Sequence, residues 1–106
     1  MKKEKNTMLN IENKMENGKG VFTLEGRLDT TTAPELEKAL REKMPELTEL
    51  TLDFAKLDYI SSAGLRVLLS AQKIMNKQGS MTLTNVNETV MEIFEVTGFS
   101  DILTIA

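Results

Sequence analysis

Two adjacent serines, Ser61 and Ser62, stand in the stretch YISSAGLRVLL (59–69), where an apolar alternation ends and a helical spacing begins. Hydroxyls at such a junction have two chemistries open to them. One is structural: a serine accepts a hydrogen bond from a free N–H of the first helical turn, worth about 1 kcal/mol against alanine. The other is covalent: the unpaired N–H groups and the positive end of the helix dipole favour a negative group, so a serine there can carry a phosphate. Ala63 and Gly64 are small and leave the backbone open to a close partner. A phosphate adds about −1.5 to −2 charges and would repel Asp53 and Asp58 if they faced it. Arg66 follows within the first turns, where a cation opposes the dipole; its position calls for a contact with a partner or with a phosphate on Ser62. A strand directly before the serines puts them at the carboxyl end of a sheet, the edge where open α/β folds place their binding chemistry.

Catalysis has little support. A serine hydrolase elbow needs G-x-S-x-G, and Ile60 stands where the first glycine belongs. The 106 residues contain no histidine and no cysteine, which removes the imidazole base, the thiolate nucleophile, disulfides and the commonest zinc ligands. No G-x-x-x-x-G-K-[ST] phosphate loop is present. The expectation is a binding protein with no cofactor and no metal, not an enzyme. A net charge of −3 is a poor basis for wrapping nucleic acid. No apolar run approaches the roughly 20 residues that cross a bilayer. The opening MKKEKNT leads into no apolar region, so residues 1–7 read as a solvated tail rather than a secretory signal. The expected location is the cytoplasm. With 41% hydrophobic and 27% charged residues, residues 8–106 make one soluble domain. A monomer is expected, because no large apolar stripe is left over once the elements are assigned.

The elements that position the serines alternate in type. Met8, Leu9, Ile11 and Met15 mark a first strand, and Phe22 and Leu24, with Val21 and Thr23 on the other face, mark a second. Asn17-Gly18 and Gly20 between them predict a hairpin. Thr32 with Glu35 fits a capping box for a helix carrying Leu36, Ala39, Leu40 and Met44 on one stripe and ending at Pro45. Leu50, Leu52 and Phe54 alternate as a strand. From Ser62 a second helix follows through Leu65, Leu68, Leu69, Gln72 and Met75, with Gly79 expected as a left-handed C-cap and Lys73 and Lys77 near the negative dipole end. SMTLTNV is a strand, Asn87 caps a third helix that stops at Gly98, and DILTIA is a short last strand or extended tail. The methionines read mainly as core filler. The order β-β-α-β-α-β-α-β implies an α/β fold, a small mixed β-sheet with helices packed largely on one side.

Three stretches together resemble a known family: GRLDTTTAPEL (26–36), LTLDFAKLDYISSAGLRVLL (50–69) and FEVTGFSDILTI (94–105). They are similar to the STAS domains and, within them, to the bacterial anti-sigma factor antagonists, over roughly residues 8 to 106. The resemblance implies a partner-switching mechanism. The antagonist binds an anti-sigma factor that is also a serine kinase, so the sigma factor is freed. Phosphorylation of one serine breaks the complex, and a PP2C-type phosphatase restores it. The family's acceptor motif is D-S-[ST]-G-L. Ser61 here takes the place of its Asp, Ser62 that of the acceptor and Ala63 that of the second hydroxyl, before Gly64 and Leu65. Ser62 is therefore the implied phosphorylation site, with Ser61 the alternative. Asp29 matches a family Asp in the loop before the first helix, implied to belong to the partner-facing surface; its other reading is support of the turn before Thr32. Ser61, Ser62, Ala63, Gly64, Arg66 and Asp29 make up the expected partner-binding set. The competing function is a STAS subunit of a transport or lipid-trafficking complex, in which Ser62 is only a helix cap.

Overall fold

The computed structural model describes residues 9–106; the expected tail, residues 1–7, and Met8 lie outside the described residues. Strands β1 (Leu9–Glu16) and β2 (Lys19–Leu28) form the hairpin, paired antiparallel from Glu16 opposite Lys19 to Leu9 opposite Gly26. Asn17 and Gly18 take φ of 51° and 81°, the paired left-handed conformations of a two-residue primed turn. Helix α1 (Ala33–Lys43) leads through a 3₁₀ turn (Met44–Glu46) to β3 (Glu49–Ile60). Helix α2 (Ser62–Gln78), β4 (Ser80–Thr84) and α3 (Glu88–Thr97) follow. The sheet order is β1-β2-β3-β4, with β2, β3 and β4 mutually parallel. The last expected strand is reduced to one parallel bridge between Leu83 and Ile105. There the Leu83 N–H donates to the Thr104 carbonyl (2.8 Å) and the Ala106 N–H to the Leu83 carbonyl (2.9 Å).

Alternation decides which face of the sheet is covered. Phe22, Leu24, Leu50, Leu52, Phe54, Met81 and Leu83 are buried under the helices. Their neighbours Val21, Thr23, Thr51, Asp53, Thr82 and Thr84 stay at least partly exposed on the other face. The helices complete the core with Leu36, Leu40, Leu65, Leu68, Met75, Val90 and Phe94. Met44, Met75 and Met81 fill this core, and Met15 and Met91 pack against its margin.

The alternation in β3 breaks twice. Thr23 faces Asp53 but Glu25 faces Lys56, and Gly26 faces Leu57 but Arg27 faces Tyr59. Each shift adds one residue to β3 and turns its side chains over. The buried positions thus run Leu50, Leu52, Phe54, then Leu57, then Ile60. Asp53 clamps the first bulge: its Oδ1 accepts from the Ala55 N–H (2.9 Å) and from Asn85 Nδ2 (3.0 Å). The Asn85 amide first, then the Ala55 N–H, hold the Asp53 carboxyl below its ordinary range against a smaller opposing effect of burial. Asp53 therefore lies mid-strand, between Thr23 and Thr84, and does not face the serines.

Two predicted helix ends differ from expectation. The Thr32–Glu35 capping box does not form. Thr32 is nearly fully buried, and its hydroxyl donates to the Arg27 carbonyl (2.8 Å) while accepting from the Asp29 N–H (2.9 Å). The loop folds back on the strand it leaves, so the hydroxyl is used there. Gly79 takes φ 170°, extended rather than left-handed backbone. Its glycine is required by space: a Cβ would overlap the Thr48 carbonyl, lying 2.6 Å from its carbon. Nearby, Gln78 Nε2 donates to the Met44 (2.6 Å) and Leu47 (2.7 Å) carbonyls. Asn87 caps α3 as predicted, accepting from the Val90 N–H (2.8 Å). Among the described residues no helix is long and apolar enough to cross a membrane.

Because the atom in the way at Gly79 is backbone, the clash cannot relax by a rotamer change. Gly79→Ala is expected to destabilise the fold by about 3 kcal/mol, read as a lowered urea midpoint at unchanged slope. An unchanged midpoint would show that the 48–49 and 79–80 segments can separate freely.

Candidate functional site

A single residue, Ser61, separates the end of β3 from the start of α2. Its backbone is extended (φ −104°, ψ 177°), its N–H donates to the Leu28 carbonyl (2.9 Å) and its carbonyl accepts from the Leu65 N–H (2.9 Å). It thus closes the β2–β3 ladder and opens the helix at once. Its Oγ is buried and has no hydrogen-bond partner, and no side-chain cap is made at this helix start. Ser62 is the first helical residue and is exposed. Helix geometry leaves the N–H groups of Ser62, Ala63 and Gly64 without intrahelical partners, and the first turn carries no acidic residue.

Gly64 explains how the helix starts so close to the sheet. A Cβ there would lie 2.7 Å from Leu28 Cγ and 2.8 Å from Ile60 Cγ1. Only glycine lets the first turn rest on the ends of both strands. Ser62 and Arg66 are both exposed and one turn apart, on a shared helix face. Arg66 makes no ion pair among the described residues. With Ala63, it lines one wall of a shallow groove of about 310 Å³ whose other wall is Thr30, Pro34 and Glu37.

Asp29 stands at the end of β2 on the same rim. Its Oδ1 accepts from the N–H of Thr31 (3.0 Å) and Thr32 (3.1 Å), and the Thr32 hydroxyl lies 3.3 Å away, an alternative to that hydroxyl's shorter bond with the Arg27 carbonyl. Its Oδ2 lies 3.7 Å from Arg27 Nε. Burial tends to raise its carboxyl pKa, but the Thr32 and Thr31 N–H bonds, the Thr32 hydroxyl and the Arg27 charge together bring it below the ordinary 3.8. Asp29 holds the turn that carries Thr30 to the groove. The residues of the expected set thus lie on one rim, and Asp29 is spent on holding its own loop.

Two rim features escaped sequence reasoning. Arg27 lies opposite Tyr59 in the parallel ladder, with its guanidinium 4.6 Å from the centre of the Tyr59 ring. The pair follows from the two bulges of β3, which alter the register of every residue beyond Asp53. The groove wall formed by Thr30, Pro34 and Glu37 depends on how α1 approaches α2, for which the sequence carries no local signal.

The STAS domain model matches residues 10–106. The chain belongs to the STAS domain family. The Anti-sigma-B factor antagonist of Bacillus subtilis is 31% identical to this STAS domain over 103 residues, covering 92% of this chain and 91% of the relative. Among solved structures, an anti-sigma factor antagonist from Mycobacterium paratuberculosis superposes with a TM-score of 0.83 at 19% identity, covering 92% of this chain and 84% of that one. The anti-sigma factor antagonist SpoIIAA in its unphosphorylated form superposes at 0.79 and 20% identity, covering 92% and 88%. The phosphorylated form of SpoIIAA, a Bacillus cell fate determinant, superposes at 0.72 and 19% identity, covering 92% and 91%. These structures share the STAS fold described above.

Two outcomes follow from the rim of this STAS domain. Ser61→Ala removes a buried hydroxyl that satisfies nothing, so stability should be unchanged or rise by up to about 1 kcal/mol; a working cap would instead lose about that amount. Thermal unfolding of the variant decides between them. Asp29→Asn removes a carboxylate that the fold holds in its charged form. Wild type should be the more stable at neutral pH. The difference should shrink as pH falls below the ordinary carboxylate value and vanish below the lowered native one. Urea midpoints of both proteins from pH 7 to acid measure this, and a gap independent of pH would contradict it.

Proposed function

We propose that this chain is an anti-sigma factor antagonist, a regulatory binding protein whose docking rim is built from Ser62, Ser61, Ala63, Gly64, Arg66 and the Asp29 loop. Its partner is an anti-sigma factor with serine kinase activity, and phosphorylation of Ser62 ends the complex. The observation that carries the reading is the contrast between the two serines. Ser62 Oγ belongs to an exposed residue at the start of a helix of 17 residues, whereas Ser61 Oγ is buried. Only one hydroxyl of the pair is open to a kinase, which favours Ser62 over Ser61 as acceptor. The relative named Anti-sigma-B factor antagonist and the phosphorylated form of SpoIIAA support the same reading.

In the reaction, Ser62 Oγ loses its proton and bonds to the γ-phosphorus of an ATP held by the partner, and ADP leaves. A PP2C-type phosphatase reverses the state by hydrolysis, returning serine and inorganic phosphate. The free N–H groups of the first turn and Arg66, one turn on, receive the new charge without any change in the core.

The test mixes the purified protein with a kinase-type anti-sigma factor and ATP and locates the phosphate by mass spectrometry. Modification is expected on Ser62 alone. Ser62→Asp should weaken binding by about a hundredfold or more, the effect of about 3 kcal/mol, while Ser62→Ala should bind normally and resist modification. Arg66→Ala should alter binding or phosphorylation. A chain that binds no such kinase and stays unmodified would sink the proposal in favour of a transport-associated STAS subunit.

A further inference from the structure

Strand β1 ends the described sheet on one side, and its outer edge pairs with no other described strand. The two-residue turn closes on Glu16 opposite Lys19, a pair that exchanges both hydrogen bonds in such hairpins. Asn10, Glu12 and Lys14 therefore bond towards β2, and the N–H and C=O groups of Leu9, Ile11, Asn13 and Met15 point to the free edge. Natural edges of this kind are normally blunted by charge, proline or a bulge. Here the ladder along β1 is regular, without a bulge, and its charges are of both signs.

Those charges are placed symmetrically. An antiparallel copy of β1 laid against this edge about a two-fold axis at Asn13 sets Glu12 opposite the copy's Lys14, and Lys14 opposite its Glu12. Ile11 then meets the copy's Met15, twice, on the helix-covered face. Ile11 and Met15 are each only half-buried in one copy, at the margin of the core. Among the described residues neither charged residue is committed elsewhere. Glu12 faces Thr23 and Lys14 faces Val21 across the hairpin, and neither is in an ion pair among the described residues. The outward N–H and C=O groups of residues 11, 13 and 15 are the ones this register needs. The geometry points to a homodimer formed by β1 edges pairing antiparallel about Asn13, with the two four-stranded sheets becoming one continuous sheet of eight.

The inference is independent of the proposed function. It leaves that site open, because Ser62 lies at the carboxyl end of the parallel strands and not along the β1 edge. The two-fold axis sends the two Ser62 ends in opposite directions. A count of apolar stripes does not detect this surface, since its attraction comes from backbone groups and one charge pair used twice.

Sedimentation of the intact chain, from low micromolar to near-millimolar concentration, should show a monomer–dimer equilibrium that weakens with added salt. Glu12→Lys and Lys14→Glu, each alone, place like charges opposite each other twice and should raise the dissociation constant about tenfold or more. The double exchange Glu12→Lys with Lys14→Glu should restore it. Asn13→Pro removes an outward N–H that β2 does not use, so the variant should keep its unfolding midpoint within a small margin and lose the dimer. A chain that stays monomeric at every concentration overturns the inference. So does a dimer that survives Asn13→Pro and ignores the charge exchanges.

Discussion

Position 64 has room for a hydrogen and nothing larger, and the rest of the rim depends on that. Leu28 and Ile60 close over the first turn of α2 from two strands, with contacts that a Cβ would violate. This allows the helix to begin one residue after the strand. The short junction in turn commits Ser61 to the ladder, through its N–H on the Leu28 carbonyl, and turns its hydroxyl inward. Ser62 is then the first side chain that the helix can present to solvent. A longer loop would satisfy the same serines as caps or expose both. The steric constraint at Gly64, more than any property of the serines themselves, separates their roles.

The two bulges of β3 supply the other half of that geometry. A strand of strict alternation starting at Leu50 would bury Ile60 as well, because two inversions cancel. What the bulges change is the stretch between. Leu57 is turned into the core where an uninterrupted pattern would have exposed it, and Tyr59 is brought level with Arg27. Asp53 stabilises the first inversion with bonds to Ala55 and Asn85. The clamp ties β3 to the loop after β4, so the strand that delivers the serines is braced from the side away from the hairpin.

The architecture was legible because the periodicities are clean. Leu50-Leu52-Phe54 reads as strand, and the spacing Leu65-Leu68-Gln72-Met75 reads as helix, without knowing what covers either. Asn17-Gly18 and Asn87 were legible for the same reason, since a turn or a cap is decided within a few residues. What was not legible is set at a distance. The Thr32 hydroxyl has a local offer as a cap and a better one on the end of β2. Gly79 looks like a left-handed stop, yet its glycine is dictated by the Thr48 carbonyl. Asp53 looked close enough to the serines to oppose a phosphate, but β3 runs on to Ile60 and leaves it mid-strand, paired with Thr23 and Thr84. At the site, the position of Ser62 could be read from its strand-to-helix junction. The burial of Ser61 Oγ could not, because a side chain's surroundings at the end of the sheet are set by tertiary packing and not by its neighbours in sequence.

The charges of the rim bear on how the proposed phosphorylation of Ser62 would act. Arg27 and Asp29 compensate each other, and Arg66 and Glu37 face the groove with opposite signs. These four charges cancel before modification. A phosphate carrying about two negative charges gives the rim a definite sign. Set about 8 Å from a single carboxylate of a docked partner, at an effective dielectric of about 20, it is opposed by about 4 kcal/mol, roughly a thousandfold in affinity. No core contact has to change for this to happen, since Ser62 is exposed while packing against the core begins at Ala63. The proposed switch adds charge to a rim on which these charges cancel, at a hydroxyl that the close contacts of Gly64 with Leu28 and Ile60 leave at the open start of the helix.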